Sequence, residues 1–365
     1  MKYLNALNII LYYHVNQFKN LLRHFQNPKK AWEEANSEIL QKIGWKEKLI
    51  RSFLEMKNLI NVEKEWEALA KLGIKTLDTV ALPILLQEIY DPPVILYCQG
   101  NLDLLHGQCL SMVGSRNISA YGKEVVKHFT KTFGQAGIVM VSGFAYGVDV
   151  TVHKHCLDGN YKTIAVLASG LNRKYPNYPQ YFINKMISQG LFISEYPLNI
   201  ESMSFHFPIR NRIISGLSSA TIVIEAQEKS GSLITAKSAI NQNRDVFSVP
   251  GSIFNSQSQG ANLLIQKGEA ELLLNANQIL EKQLYHQPIN RISNLGKLKT
   301  ITKQNPPQLD NDDEIRIYKL LSPQNLLFDE ILNFLKLDPS KLNQILSRME
   351  INGIVKNLGG GIYGL

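Results

Sequence analysis

The stretch Cys109-Leu110-Ser111-Met112-Val113-Gly114-Ser115-Arg116 decides how the chain folds. Leu110–Val113 is short and apolar at consecutive positions, the pattern of a strand buried on both faces. It ends in a glycine, a hydroxyl and a guanidinium, and Gly122–Phe133 then reads as a helix. The same grammar recurs downstream: Ile138–Val141, Thr163–Leu167, Leu191–Ser194, Thr221–Glu225 and Val246–Val249 read as strands. Helical stretches such as Gln180–Gln189 and Leu233–Gln242 separate them. Strand–helix alternation of this kind predicts an α/β fold with a doubly wound, mostly parallel sheet, whose ligands lie at the carboxyl ends of the strands.

Working outward, residues 1–82 read as a helical domain with no strand signal. Leu4, Leu7, Ile10 and Leu11, then Phe18, Leu21, Leu22 and Phe25, recur at helical spacing, and Asn27-Pro28 interrupts them. Ser37–Lys42 and Lys46–Leu59 flank Ile43-Gly44-Trp45, a helical hairpin of the kind that docks on a nucleic-acid backbone or simply packs. The core runs over 83–282 and opens with a strand at Val94–Tyr97. Residues 283–309 hold prolines, amides and Arg291, Lys297, Lys299 and Lys303 without an acid, which predicts a flexible basic linker. In 310–365, helices at Ile315–Leu321, Leu326–Leu335 and Pro339–Asn352 precede a Gly359-Gly360-Gly361 hairpin, the order of a winged-helix-like domain.

The chain has 365 residues and a formal charge of +8, a mild excess that suits a polyanionic partner. Cys98, Cys109 and Cys156 make no disulfide framework and no Cys-x-x-Cys pair. No apolar run is long enough to span a bilayer. The N-terminus carries Asn5, Asn8 and His14 among its apolar residues and has no small-residue cleavage site, so a cytoplasmic protein without membrane contact is expected.

Several strand ends carry candidate ligand contacts. Gly114 permits close backbone approach, Ser115 and Arg116 supply donors, and the next helix N-terminus suits a phosphate. Ser142 and Gly143 repeat this style in Ser142-Gly143-Phe144-Ala145-Tyr146-Gly147-Val148-Asp149, where Asp149 is a candidate cap. Phe207-Pro208-Ile209-Arg210-Asn211-Arg212, placed just before a helix at Ile213–Leu217, offers Arg for phosphate and Phe for a base face. Ser230-Gly231-Ser232 opens a further helix whose N-terminus binds an anion or is merely capped. Lys174 follows the third strand as a candidate phosphate contact, beside Tyr175 and Tyr178, which stack or pack. His153 and His155 lie two apart on a helix, face different ways and have no second ligand cluster, so no metal site is expected. A Gly-x-Ser-x-Gly elbow and a Walker lysine are both absent.

Taken in order, these motifs closely resemble the bacterial DNA-processing DprA (Smf) family. Val113-Gly114-Ser115-Arg116, Ser142-Gly143-x-Ala145-x-Gly147-x-Asp149, Ser194-Glu195-Tyr196-Pro197 and Phe207-Pro208-x-Arg210-Asn211-Arg212-Ile213-Ile214-Ser215-Gly216-Leu217 carry the likeness. So do Glu225-Ala226, Ser230-Gly231-Ser232-Leu233-Ile234-Thr235-Ala236, Val249-Pro250-Gly251 and Gly260-x-Asn262-x-Leu264-Ile265. Ala168, Asn172 and Asn243 depart from the family pattern, standing where Gly, Asp and Gly are usual. The resemblance implies an extended Rossmann core that binds single-stranded DNA, protects incoming DNA in natural transformation and loads RecA. It implies a homodimer, with the dimer and RecA surfaces around Leu263 to Leu280, no catalysis and no cofactor. It places DNA contacts on Ser115, Arg116, Ser142, Gly143, Lys174, Phe207, Arg210 and Arg212, with backbone donors from Ser230 to Ser232.

Two other readings belong to different classes. One is a lysine-decarboxylase-like nucleotide phosphoribohydrolase, whose Pro-Gly-Gly-x-Gly-Thr pattern is missing here. The other is a small-nucleotide sensor with a DNA-reading winged helix. Its last helix, Lys341–Glu350, offers only Lys341 and Arg348 as cations, which favours protein interaction over major-groove reading.

Overall fold

A computed structural model of the protein describes residues 1–285, 311–321, 326–352, 354–357 and 361–364. The expected linker lies outside these residues, apart from the few that end the first unit, as do Gly359 and Gly360 of the expected hairpin. The chain divides into two compact units, Met1–His286 and Gln287–Leu365.

The first unit opens with α1 (Lys2–Leu11), α2 (Val15–Phe25), α3 (Pro28–Glu34), α4 (Ser37–Lys42), α5 (Glu47–Leu59) and α6 (Val62–Lys71). Asn27, Asn36 and Asn61 start α3, α4 and α6 by accepting backbone N–H bonds on their side chains. There follow β1 (Lys75–Asp78), the one-turn α7 (Ile84–Gln87), β2 (Ile95–Gly100), β3 (Cys109–Val113), α8 (Ala120–Gln135), β4 (Val139–Ser142) and α9 (Val148–Asp158). Next come β5 (Thr163–Val166), α10 (Gln180–Gln189), β6 (Leu191–Ser194), α11 (His206–Gly216), β7 (Ala220–Val223), α12 (Gly231–Asn241), β8 (Asp245–Ser248), α13 (Ser256–Gln266), β9 (Glu271–Leu272) and α14 (Asn277–Tyr285).

These strands form one nine-stranded sheet in the order β1-β2-β6-β5-β4-β3-β7-β8-β9. It is parallel from β6 to β9, and β2 runs antiparallel to both β1 and β6. The parallel, doubly wound core is as expected. Alternate strand residues feed opposite layers: Leu110, Met112 and Met140 pack with α8 and α9, while Val113, Val139 and Val141 pack with α11 and α12. A third cluster joins α1–α5 to Phe144, Phe182 and Phe192, so the N-terminal helices share a core with the sheet.

Two local expectations are corrected. Residues 1–82 do contain a strand, β1, a half-buried edge element with one β-branched residue; only its pairing with β2 makes it extended. Helix α11 starts at His206, not Ile213, so Phe207 to Arg212 lie within its first turns. Pro208 is tolerated there because first-turn N–H groups have no intrahelical partner anyway. Asn243 holds φ +56°, a left-handed position that asparagine accepts in place of glycine.

The second unit comprises α15 (Asp312–Leu321), β10 (Leu326–Leu327), α16 (Phe328–Leu335), α17 (Pro339–Ile351), β11 (Lys356–Asn357) and β12 (Ile362–Gly364), with a small sheet ordered β10-β12-β11. Helices with a small sheet are as expected, except that Leu326–Leu327, read as the start of a helix, pairs with β12 as strand β10. Its own core includes Ile317, Ile331, Leu342, Leu346 and Val355.

Candidate nucleic-acid interface

The chain runs outward from β3 through β4 to β6, then returns to lay β7 on the other side of β3. Strand order therefore reverses between β3 and β7, and loops leaving the two carboxyl ends diverge to open a crevice. A cleft of about 430 Å³ occupies this place. Gly114 to Asn117 come from the β3 loop, Phe207, Arg210 and Asn211 from α11, and Ser230 to Ser232 with Thr235 from α12.

The β3 loop is held from below. Ser115 N–H donates to Glu225 O (2.7 Å), Val148 N–H donates to Ser115 O (3.1 Å), and Ser115 Oγ donates to Gln257 Oε1 (2.7 Å). Gly147 makes the approach possible: it holds φ +79°, and a Cβ there would fall 2.2 Å from Ser115 O. Pinned in this way, the loop presents an exposed Arg116. Its guanidinium rests 4.9 Å from the Phe207 ring centroid, a cation–π contact, and no carboxylate among the described residues pairs with it.

The two helix N-termini at the crevice differ. That of α8, expected to receive a phosphate, already holds an anion. The buried Glu225 carboxylate accepts Ser119 N–H (2.9 Å) and the Ser119 hydroxyl, while Ser119 caps Gly122 N–H (3.0 Å). The N-terminus of α12 is open. Ser230 caps Ser232 N–H weakly (3.3 Å), no acid lies in the first turn, and a Cβ on Gly231 would meet nothing within 4 Å. Free N–H groups and the positive dipole end thus face the cleft.

Arg210 lines the cleft but is only 3% exposed. It donates to Gly143 O (2.5 Å), to Val166 O and to Asn211 Oδ1 (3.2 Å), strapping the ends of β4 and β5 to α11. Burial lowers its pKa to about 10 and raises that of Asp149, whose carboxylate accepts Ala145 N–H (3.3 Å). A Cβ on Gly143 would sit 2.6 Å from Asp149 Oδ2 and 2.8 Å from Arg210 Nη2, so this glycine leaves room for the two charged groups. Ser142 is wholly buried and donates to Met112 O (2.7 Å). Asn211 donates to Gly231 O (3.3 Å), tying α11 to the start of α12.

Of the other expected contacts, Arg212 faces away from the cleft. It pairs with Glu195 (2.5 Å) and Asp91 (3.5 Å), and Asp91 pairs with Lys19 of α2 (2.5 Å). Lys174 Nζ turns to Gln99 Oε1 (2.9 Å) and Leu171 O, over the Phe192 ring, and burial lowers its pKa to about 8. The structure therefore gathers Gly114, Ser115, Arg116, Phe207, Arg210, Asn211, Ser230, Gly231 and Ser232. It leaves Ser142, Gly143, Lys174 and Arg212 off the lining. Sequence reasoning missed Asn117, Gln227 and Gln257; Gln257 joins only because α13 returns beneath the β3 loop. His153 is buried and bonded to Thr163 Oγ1 (2.8 Å), and no cluster of three or more metal-ligating side chains occurs among the described residues.

The fold and this cleft define an open α/β protein with a donor-lined crevice at the topological switch point. The chain belongs to the DNA recombination-mediator protein A family, whose model matches residues 74–283; a DprA winged helix domain model matches 302–361. It is 42% identical over 213 residues to the DNA processing protein DprA of Bacillus subtilis, covering 58% of this chain and 71% of that one. The solved structure of DprA from Streptococcus pneumoniae is similar at TM-score 0.66 and 34% identity, covering 77% of this chain and 97% of that one. A Helicobacter pylori DNA processing protein A structure, described in terms of its single-stranded DNA binding mode, matches at TM-score 0.54 and 29% identity, covering 59% of this chain and 97% of that one. Among the described residues no helix is long and apolar enough to cross a membrane.

Proposed function

We propose that the chain binds single-stranded DNA in the switch-point cleft and acts stoichiometrically, without catalysis. The observation that carries this reading is Arg116, exposed and without a carboxylate partner among the described residues, lying on the Phe207 ring in the cleft that α12 enters by its open N-terminus. A phosphate takes the Arg116 fork and the Gly231 N–H, and a base takes the aromatic face. The buried Arg210 adds positive potential from the floor while serving as a strap. The Helicobacter pylori relative, described in terms of its single-stranded DNA binding mode, supports a single strand as the ligand.

The family resemblance extends the proposal: in the cytoplasm a homodimer protects incoming DNA and hands it to RecA. Leu272 and Leu274, both exposed, lie in the segment assigned to such contacts. A phosphoribohydrolase would need a reactive glutamate facing its substrate, whereas Glu225 is buried on the α8 N-terminus and does not line the cleft.

Electrophoretic shifts with single- and double-stranded DNA test the preference; equal affinity for both would overturn it. Incubation with nucleoside monophosphates is expected to release no free base. Faster RecA filament growth on single strands coated with this protein tests the loading role, and an unchanged rate would remove it.

A further inference from the structure

The N-terminal helices reach the start of α11. Buried Asn5 and Asn8 fix α1 on the sheet: Tyr97 Oη donates to Asn5 Oδ1 (2.7 Å), and Asn8 Nδ2 donates to Tyr97 Oη (3.1 Å) and to Glu195 O (3.1 Å). Tyr97 belongs to β2, and Glu195 directly follows β6. The turn 12–14 between α1 and α2 therefore leaves an anchored helix, and it brings the Tyr13 hydroxyl to 2.8 Å from His206 Nε2. We infer that Tyr13 is a positioning residue for single-strand binding: acting through His206, it fixes the first turn of α11 and so the pose of Phe207. This role rests on the reading of Phe207 as a stacking face and deepens it, by giving the N-terminal helices a part in the site.

Helix α11 needs such a brace, because its first turn has no side-chain cap and no acid. The buried His206 ring ties the turn down instead. Tyr196 stacks against it at 4.4 Å, and the rings of Phe205 and Tyr13 lie 4.6 and 5.6 Å away. Its Nδ1 is 3.1 Å from Ala168 O and 3.2 Å from Met203 N.

Burial lowers the His206 pKa, so the ring is neutral, and one nitrogen donates while the other accepts. If Nδ1 donates to Ala168 O, Nε2 accepts the Tyr13 O–H. If Nδ1 accepts the Met203 N–H, Nε2 donates to the Tyr13 oxygen. In both tautomers the Tyr13 hydroxyl is the partner of Nε2. His206 is the first residue of α11 and Phe207 the second. A ring held at both nitrogens thus sets the backbone from which Phe207 projects to meet Arg116 in the cleft.

The test is a double-mutant cycle on single-strand affinity, read by fluorescence anisotropy of the full chain with oligothymidylate, at a temperature where melts show every variant folded. Phe207→Ala should lose about tenfold, within the range for one stacked base. Tyr13→Phe keeps the ring and removes only the hydroxyl; it should lose about three- to fivefold, part of one stacking contact. Its salt slope should equal that of wild type, because no phosphate contact is removed. Added to Phe207→Ala, Tyr13→Phe should cost nothing further. A merely structural part for Tyr13 would lower the melting temperature and leave the affinity of the folded chain unchanged.

Wild-type affinity in folded Tyr13→Phe overturns the inference; a loss confined to Tyr13→Ala would make the ring itself a DNA contact. An equal loss from Tyr13→Phe with and without Phe207 overturns it too, since the hydroxyl would then act elsewhere. Wild-type affinity in Phe207→Ala would instead overturn the stacking reading, and this inference with it.

Discussion

Arg116 and Arg210 are both arginines of the same cleft, and burial separates their roles. Arg116 is exposed and has no ion-pair partner among the described residues, so Arg116→Ala should weaken single-strand binding about tenfold across sequences and lower the salt slope by about 0.7, with an unchanged melting temperature. A slope equal to wild type would remove Arg116 from the site. Arg210 is a buried donor to carbonyl oxygens, so Arg210→Ala should instead cost stability, about 2–3 kcal/mol in urea titration, by orphaning those acceptors. His153 carries a prediction of its own. The Thr163 hydroxyl donates to Met140 O (2.9 Å), so His153 Nδ1 must carry the proton that Thr163 Oγ1 accepts, and Nε2 stays bare and buried. Burial lowers its pKa to about 3, well below the unfolded value. The unfolded state then binds the extra proton between about pH 6.5 and 3, so stability falls as pH drops through that window, by about 1.4 kcal/mol per unit. His153→Gln should flatten the urea midpoint against pH between 6.5 and 4.5; an unchanged curve would show that His153 is not the group responsible.

At the scale of elements, helix ends are the currency of this cleft. An internal carboxylate satisfies α8, whereas α12 has no acid in its first turn. Glu225→Ala should therefore destabilise by about 2–3 kcal/mol, because Ser119 N–H and its hydroxyl lose their buried acceptor, whereas Glu225→Gln should cost less. Equal losses would mean that the acceptor is not what matters. Helix α11 bears Phe207, Arg210 and Asn211 on one side and Arg212 on the other. The chain of charges Lys19–Asp91–Arg212–Glu195 braces that back against α2. Arg212→Met leaves Glu195 buried without its cation and should cost about 3 kcal/mol. Burial already pushes the Glu195 pKa up, held back by Arg212. Without the arginine the folded state holds the proton more tightly still, so the variant should lose stability more steeply than wild type as pH rises above the ordinary carboxylate range. Glu195→Gln added to Arg212→Met should remove that dependence. DNA affinity that fell as far as in Arg116→Ala, at constant stability, would return Arg212 to the interface.

At the scale of the molecule, the second unit either shares in DNA binding or leaves it to the first. In the winged-helix unit, the cations of α17 are engaged with acids of α15: Lys341 with Asp313 (2.7 Å) and Arg348 with Glu314 (2.5 Å). A helix whose cations are paired has little with which to grip phosphates or read base edges. Lys341→Ala and Arg348→Ala should each change the full chain's affinity for either form of DNA by less than about twofold, since spent charges release few counterions. A larger loss would assign the wing a share of DNA binding.

Much of this was legible in the chain. The strands of the parallel core were readable because strands buried on both faces must be apolar at consecutive residues, and glycines at their ends mark where backbone approaches backbone. That Gly114, Ser115, Arg116, Phe207 and Ser230 to Ser232 belong together could be read because small residues, hydroxyls, guanidinium groups and an aromatic recur at strand ends and helix starts, which the fold brings to one cleft. The edge strand β1 was not readable, since its extended form comes from pairing with β2 and not from its own side chains. Nor was the division of labour among like residues. Whether an arginine meets a phosphate, a carbonyl or a glutamate depends on which neighbour the fold delivers to it, and Glu195, Asp91, Gly143 and Val166 come from distant parts of the chain. Local chemistry set the types of group in the cleft; tertiary packing alone decided which of them remained free, because a charge is available to a ligand only where nothing nearer satisfies it.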